Sequence, residues 1–335
     1  MEKNLYSVII RTTGKAHEKY QRLLNSIKNL RPQPQEVIVV LPEGNEYPKE
    51  QLGTETYYFC KKGMVIQRMT GIQKCKTRYA LICDDDVEFG PDFVEKLYEP
   101  LKEGIASFSA APLYSFLPPK GFNAALCTMM GSAVPTILHK KNRYVSVLKS
   151  TGYSYNRHLD TDYKKYYETQ SVAWTCFFAD IYDLKKLEFE KEIWLDEHQY
   201  SALDDQTMFY KAWLMGMKTV VVSDAYYVHL DGKTSTKNNK PAALYSSTFN
   251  RVIFWHRFIY LMQKNRLLKD ISIISFQYRM TWMKIWDMFS VLRKKMTKED
   301  YKIARQGYKD GWEYLHSKEY RLLPDFRLRM EDKRK

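Results

Sequence analysis

The 335-residue chain is 44% apolar and 27% charged, a globular composition that excludes collagen-like, disordered and membrane-dominated classes. Its five cysteines (Cys60, Cys75, Cys83, Cys127 and Cys176) form no Cys-x-x-Cys pair, so neither a disulfide framework nor a structural zinc site is written here and a reducing compartment is expected. Of the net charge of +14, most belongs to residues 241–335, which carry 21 Lys and Arg against 10 Asp and Glu; such an excess suits nucleic acid, an anionic membrane surface or water.

The apolar run Ser7 to Ile10 is too short for a secretory signal and is closed by Arg11, so a cytoplasmic protein is expected. Residues 5–10 and 36–41 read as buried strands, with Leu23, Leu24, Ile27 and Leu30 at helical spacing between them. A third strand is expected over Thr56 to Cys60 and a helix from Met64 to about Cys75. Tyr79 to Cys83 is a further buried strand that runs straight into Asp84-Asp85-Asp86. Alternating strands and helices predict an α/β fold with a doubly wound, mainly parallel sheet.

Pro91 is suited to the first turn of a helix reaching about Lys102. Residues 104–139 are nearly uncharged, and Asn123, Gly131, Ser132 and Pro135 favour a buried sheet region over a membrane span. A hairpin is expected near Tyr144 to Tyr155. Asp204 and Asp205 precede a helix ending near Met215, a strand follows at Thr219 to Val222, and His229 comes soon after. From about Tyr245 the sequence turns to long helical segments dense in Trp, Phe, Tyr and Met. The organisation expected is one α/β unit over residues 1–240 and a basic, aromatic helical extension over residues 241–335.

Three aspartates at a strand's carboxyl end place negative charge where open α/β sheets bind ligands. Hard carboxylate oxygens select Mg²⁺ or Mn²⁺, which can bridge a diphosphate. Strand alternation predicts that Asp84 and Asp86 point one way and Asp85 the other. Taken alone, Asp204 reads as a helix N-cap, and His229 as an ordinary hydrogen-bonded histidine. Their order along the chain, after the strand-end aspartates, is what raises both to candidates.

These residues resemble the family 2 glycosyltransferases of the GT-A fold, bacterial envelope or capsule polysaccharide type. The resemblance rests on Ser7-Val8-Ile9-Ile10-Arg11-Thr12, Gln67-Arg68-Met69-Thr70-Gly71-Ile72, Leu81 to Val87, Leu195-Asp196-Glu197, Leu203-Asp204-Asp205 and Val228-His229, in that order. It implies a catalytic base at Asp205, a nucleotide site of Thr12, Arg68, Asp84 and Asp85, and a divalent Mg²⁺ or Mn²⁺ ion on Asp86. His229 would ligate the metal or contact phosphate. Asp204 is placed on the acceptor side, and Trp174 reads either as a stacking surface for a sugar there or, at least as readily, as a core ring. Met69, Asp204 and Leu41-Pro42-Glu43 depart from the family pattern, the last where many members carry a base-reading aspartate.

The reaction implied is inverting, metal-dependent transfer from a UDP- or dTDP-sugar to a glycan or lipid-linked acceptor hydroxyl. Phe249-Asn250-Arg251 and the run Gln306 to Gly311 look loosely like the tail of the envelope-polysaccharide members. The C-terminal helices read either as scaffold or as an anchor on an anionic membrane. A sugar nucleotidyltransferase would need an early glycine-rich loop, and Gly14 stands alone. A nucleic-acid-binding protein would explain the charge but not Asp84 to Asp86 or Asp204-Asp205.

Overall fold

A computed structural model describes residues 6–113, 143–156, 164–198, 200–230 and 240–327. Its first unit is strand, helix, strand: β1 (Tyr6–Arg11), α1 (Glu18–Asn29) and β2 (Glu36–Pro42), followed by β3 (Glu55–Cys60), α2 (Met64–Lys74) and β4 (Tyr79–Asp84). β1 and β4 are buried almost end to end, as their unbroken apolar runs require when helices cover both faces of a sheet. The short β5 (Val87–Phe89), α3 (Phe93–Lys102) and β6 (Phe108–Ala110) come next. Pro91 stays outside α3, because its carbonyl accepts the Arg31 amide at 2.9 Å and the helix starts two residues later.

The expected hairpin is present as β7 (Val145–Val147) paired antiparallel with β8 (Ser154–Asn156). Then follow β9 (Tyr166–Thr169), β10 (Cys176–Asp180), α4 (Ile181–Lys186), α5 (Asp204–Leu214), β11 (Thr219–Val222) and β12 (Tyr227–His229). The stretch Gly121 to His139, read as buried sheet, lies outside the described residues.

The main sheet has the order β3-β2-β1-β4-β10-β6-β11-β9. β3, β2, β1 and β4 run parallel, as do β6 and β11, while β10 and β9 run antiparallel to their neighbours. The sheet is therefore mainly parallel and doubly wound, and the carboxyl ends of β1 and β4 open on one edge. A second pairing, β5 with β12, sets His229 opposite Val87, one residue from Asp86.

The C-terminal helices are α6 (Lys240–Trp255), α7 (Arg266–Leu292), α8 (Lys298–Tyr314) and α9 (Lys318–Leu322). Among the described residues, no helix is long and apolar enough to cross a membrane. α6 is part of the same apolar core as α5 and β10. α8 lies against it through glycine: a Cβ on Gly307 would meet the Tyr245 carbonyl oxygen at 2.3 Å and Thr248 Oγ1 at 2.5 Å. The run Gln306 to Gly311 thus serves close helix packing.

A buried ionic cluster joins this helical part to α5. Glu192, 1% exposed between two short 3₁₀ turns, pairs with Lys211 of α5 at 2.8 Å and with Arg257 at 3.0 Å, and accepts the Trp194 indole N–H at 2.8 Å. Burial works against its charge, yet the two cations hold the carboxyl down to about 2. Removing the charge leaves two buried cations uncompensated, so Glu192→Gln is expected to cost about 3–5 kcal/mol in urea unfolding. Because its folded pKa is depressed, Glu192 supports the fold above about pH 4.5, and that support fades as pH falls towards about 2. A variant within about 1 kcal/mol of the parent at pH 7 would contradict this role.

Candidate active site

A cleft of about 1060 Å³ opens at the carboxyl edge of β1 and β4, and it collects Thr12, Arg68, Asp84, Asp85, Asp86, Trp174, Asp204, Asp205 and His229. Every sequence-predicted site residue therefore lines one cavity. They do not all face it freely.

Arg68 projects from α2 and is 3% exposed. One arm of its guanidinium grips Asp84, with Nη2 at 2.9 and 3.1 Å from the two carboxylate oxygens, and the other donates to Asp204 Oδ2 at 2.8 Å. Arg11, at the end of β1, donates to Asp84 from the other side at 3.0 Å. Burial would raise the Asp84 carboxyl, but the two arginines hold it below the usual carboxylate range. Arg68, expected to hold the nucleotide, lines the cleft and also ties the two acidic motifs together.

The helix bearing Arg68 is itself fixed from a distance. Asp196 accepts the Val65 and Ile66 amides at 3.2 and 2.9 Å, capping α2 from a separate loop, and Ser201 donates to it at 2.7 Å. Gly63 makes room for this, since a Cβ there would lie 2.6 Å from Asp196 Oδ2. A cap supplied from so far along the chain has no local sequence signal, as does Arg11's bond to Asp84.

The alternation expected for the aspartates is cut short. β4 ends at Asp84, and Asp85 and Asp86 sit in the turn before β5, so the three carboxylates take three different partners. Asp85 accepts the Thr12 hydroxyl at 2.5 Å, and Thr12 in turn accepts the Gly14 amide at 2.9 Å. Thr12, at 2% exposed, orders the loop after β1. Burial pushes the Asp85 carboxyl up to about 6. Asp86 Oδ2 lies 3.1 Å from His229 Nε2, while its buried Oδ1 has no hydrogen-bond partner among the described residues.

Two expectations are corrected. Asp204 is not an N-cap: Leu203 takes that position in a left-handed conformation, and Asp204 is the first helical residue, buried against Arg68. Trp174 is 2% exposed, and the Arg68 guanidinium covers its ring at 4.6 Å while Phe189 packs edge-on at 5.2 Å. Its face is closed to a sugar.

Asp205, one residue on, is less buried than Asp204. Burial pushes its carboxyl up to about 7, and the neighbouring Asp204 charge adds to the shift. It accepts the Gln206 amide at 2.6 Å. A carboxyl poised near neutrality, beside an arginine-neutralised acidic motif at a sheet's carboxyl edge, is suited to taking a proton.

For a divalent ion the residues present make a partial fit. Asp86 and His229 offer one hard oxygen and one imidazole, with Asp86 Oδ1 left free to coordinate. Among the described residues, no three His, Cys, Asp or Glu side chains converge into a complete metal site. The remaining ligands would have to come from the substrate, as is usual for Mg²⁺ with phosphates.

Residues 7–153 match the sequence profile of the family described as Glycosyl transferase family 2. Residues 7–153 thus resemble a family 2 glycosyltransferase domain. The matched segment holds Thr12, Arg68 and Asp84 to Asp86, whereas Asp204, Asp205 and His229 follow it. Among solved structures, this chain is similar to the crystal structure of S. aureus TarS 1–349, at 18% identity over 91% of this chain and 80% of that one, with a TM-score of 0.48. No curated protein matches the chain.

Proposed function

We propose that this glycosyltransferase moves a sugar, with inversion, from a UDP- or dTDP-sugar to a hydroxyl of a glycan or lipid-linked acceptor in cell-envelope polysaccharide synthesis. The observation that carries the reading is the convergence of β4's aspartates, the acidic start of α5 and His229 on one cleft. Residues 1–240 would form the catalytic unit, with 241–335 as its helical support.

In this reading Asp205 takes the proton from the acceptor hydroxyl as that oxygen bonds to the anomeric carbon and the bond to the donor diphosphate breaks. Arg68 and Arg11 neutralise Asp84, so that the diphosphate does not meet an uncompensated carboxylate. Asp85 and Thr12 order the loop beneath the nucleoside, and Lys15 and Lys62 on the cleft wall supply positive charge. Asp86 and His229 would hold Mg²⁺ or Mn²⁺, which supplies charge neutralisation to the leaving diphosphate.

The test separates base from structure. Asp205→Asn is expected to lower turnover by roughly two to four orders of magnitude with nucleotide affinity nearly unchanged. Since the raised carboxyl must be ionised to act, kcat/KM of the parent should climb with pH and level off above about 7, and the variant should lose that limb. A catalytically normal Asp205→Asn would contradict the assignment.

A second part of the proposal concerns α7. Leu267, Ile274, Ile285, Trp286, Phe289 and Leu292 are between 48% and 79% exposed on this one helix, which ends in Arg293, Lys294 and Lys295. An apolar face with Trp and Phe, closed by adjacent cations, suits the interface of an anionic leaflet. We infer peripheral attachment there, on the cytoplasmic face, with α6 and α8 as scaffold. Flotation with anionic liposomes should show binding that weakens with salt, since the charge part is screened within about 8 Å at physiological ionic strength. Absence of binding at low salt would leave α7 without this role.

A further inference from the structure

Glu197 is a cleft carboxylate without a counter-ion among the described residues. It lines the cavity beside Asp196 and is exposed there. Asp196 gives its two oxygens to α2 and Ser201, whereas Glu197 takes a single hydrogen bond, from the Tyr314 hydroxyl to Oε1 at 2.9 Å. Its Oε2 has no partner among the described residues, and the neighbouring charge that acts on it, Glu319, has the same sign. Burial lifts the Glu197 carboxyl and the Tyr314 hydrogen bond holds it back.

The phenol comes from the helical extension. Tyr314 closes α8, with its ring packed against Phe249 of α6 at 5.3 Å and Tyr320 of α9 at 5.9 Å. Burial, with the Glu197 charge adding to it, pushes the Tyr314 phenol up, so it stays a donor. α6 holds the residues around Glu197 as well: the His198 ring stands edge-on to Tyr245 and Phe249 at 4.7 and 4.5 Å, and Asn250 donates to the Ala202 carbonyl at 2.7 Å. The cleft wall that carries Glu197 is therefore set by α6 and α8, which tether one carboxylate oxygen and leave the other open.

We propose that Glu197, positioned by Tyr314, accepts hydroxyl hydrogens of an uncharged sugar ring in the cleft and disfavours a ring that carries a carboxylate. An ionised carboxylate only accepts, at about four lone-pair sites, and its bonds to hydroxyls are shorter and stronger than neutral ones. A uronate ring would instead set like charges side by side with no cation to relieve them. Tyr314 acts through Glu197, as a positioning residue. That the ring belongs to a donor or an acceptor rests on the glycosyl-transfer reading above.

The test uses the full chain with Mg²⁺. Calorimetry compares UDP, UDP-glucose and UDP-glucuronate, and dTDP with its glucose and glucuronate esters, in the parent, Glu197→Gln, Tyr314→Phe and the double variant. The two rings differ by a carboxylate in place of a hydroxymethyl group, so the ratio of their affinities reads the Glu197 charge even where glucose is not the natural sugar. The parent is expected to favour the glucose ester, and Glu197→Gln to lower that ratio about tenfold, the difference between a charge-assisted and a neutral hydrogen bond. Affinity for the nucleotide alone should be unchanged. Tyr314→Phe should lower the ratio in part, and the double variant no further than Glu197→Gln, a coupling that a merely structural tyrosine would not show. The same rings as methyl glycosides, titrated by saturation-transfer NMR into protein filled with the nucleotide, read the acceptor side. A ratio that shifts with the nucleotide sugars assigns the donor ring; a shift with the glycosides alone assigns the acceptor ring. An unchanged ratio in Tyr314→Phe would remove its positioning role. A parent that binds the nucleotide but is indifferent to the carboxylate in both series, or a Glu197→Gln that keeps both parental ratios, would overturn the subsite while leaving glycosyl transfer standing. A parent that binds neither UDP nor dTDP would overturn the glycosyl-transfer reading and the subsite with it.

Discussion

The site depends on one buried guanidinium. Arg68 reaches Asp84 at the end of β4 and Asp204 at the start of α5, two positions 120 residues apart in sequence, and its ring-covered, 3% exposed setting leaves it little else to touch. Without it, two carboxylates would be buried near each other with Arg11 as the remaining counter-ion, a costly arrangement. With it, the strand-end motif and the helix-start motif are held in one register. Asp196 capping α2, and Gly63 admitting that cap, fix the helix from which Arg68 reaches.

That bridge also divides the labour among six acidic and basic groups. Asp84 and Asp204 both pair with Arg68. Asp85 is turned towards Thr12, which leaves Asp86 with His229 as the pair carrying an uncommitted oxygen, while Asp205, like Asp85 and Asp204, has its proton affinity raised by burial. Adjacent residues at a helix start point about 100° apart, so the pairing of Asp204 with Arg68 is what frees Asp205 for the cleft. The helical extension joins in through Glu192, which ties α5 to the C-terminal part from the opposite end through Lys211 and Arg257.

Much of this was legible in the sequence, and the limits have physical reasons. The strands at Tyr6, Glu36 and Tyr79 and the helix opening at Asp204 follow from unbroken apolar runs and local punctuation, and they fall within a residue or two of expectation. Motif order predicted that Asp84 to Asp86, Asp204-Asp205 and His229 would meet. What it missed are partners supplied across the fold: Arg68 as a bridge between Asp84 and Asp204, Asp196 as a cap, Trp174 as a ring roofed by a cation. Each depends on side chains more than 40 residues apart, where periodicity carries no information. Pro91 misled because its carbonyl was needed by Arg31.

The central claim is that, once Arg68 and Arg11 have satisfied Asp84, Asp86 with His229 is the half-site at which a divalent ion meets the donor diphosphate. Calorimetric titration of UDP and dTDP, with and without Mn²⁺, into the parent and Asp86→Asn tests it without recourse to turnover. The account predicts nucleotide affinity that rises with Mn²⁺ in the parent and no longer responds to Mn²⁺ in a variant that melts as the parent does. An unchanged response to Mn²⁺ in Asp86→Asn would contradict it.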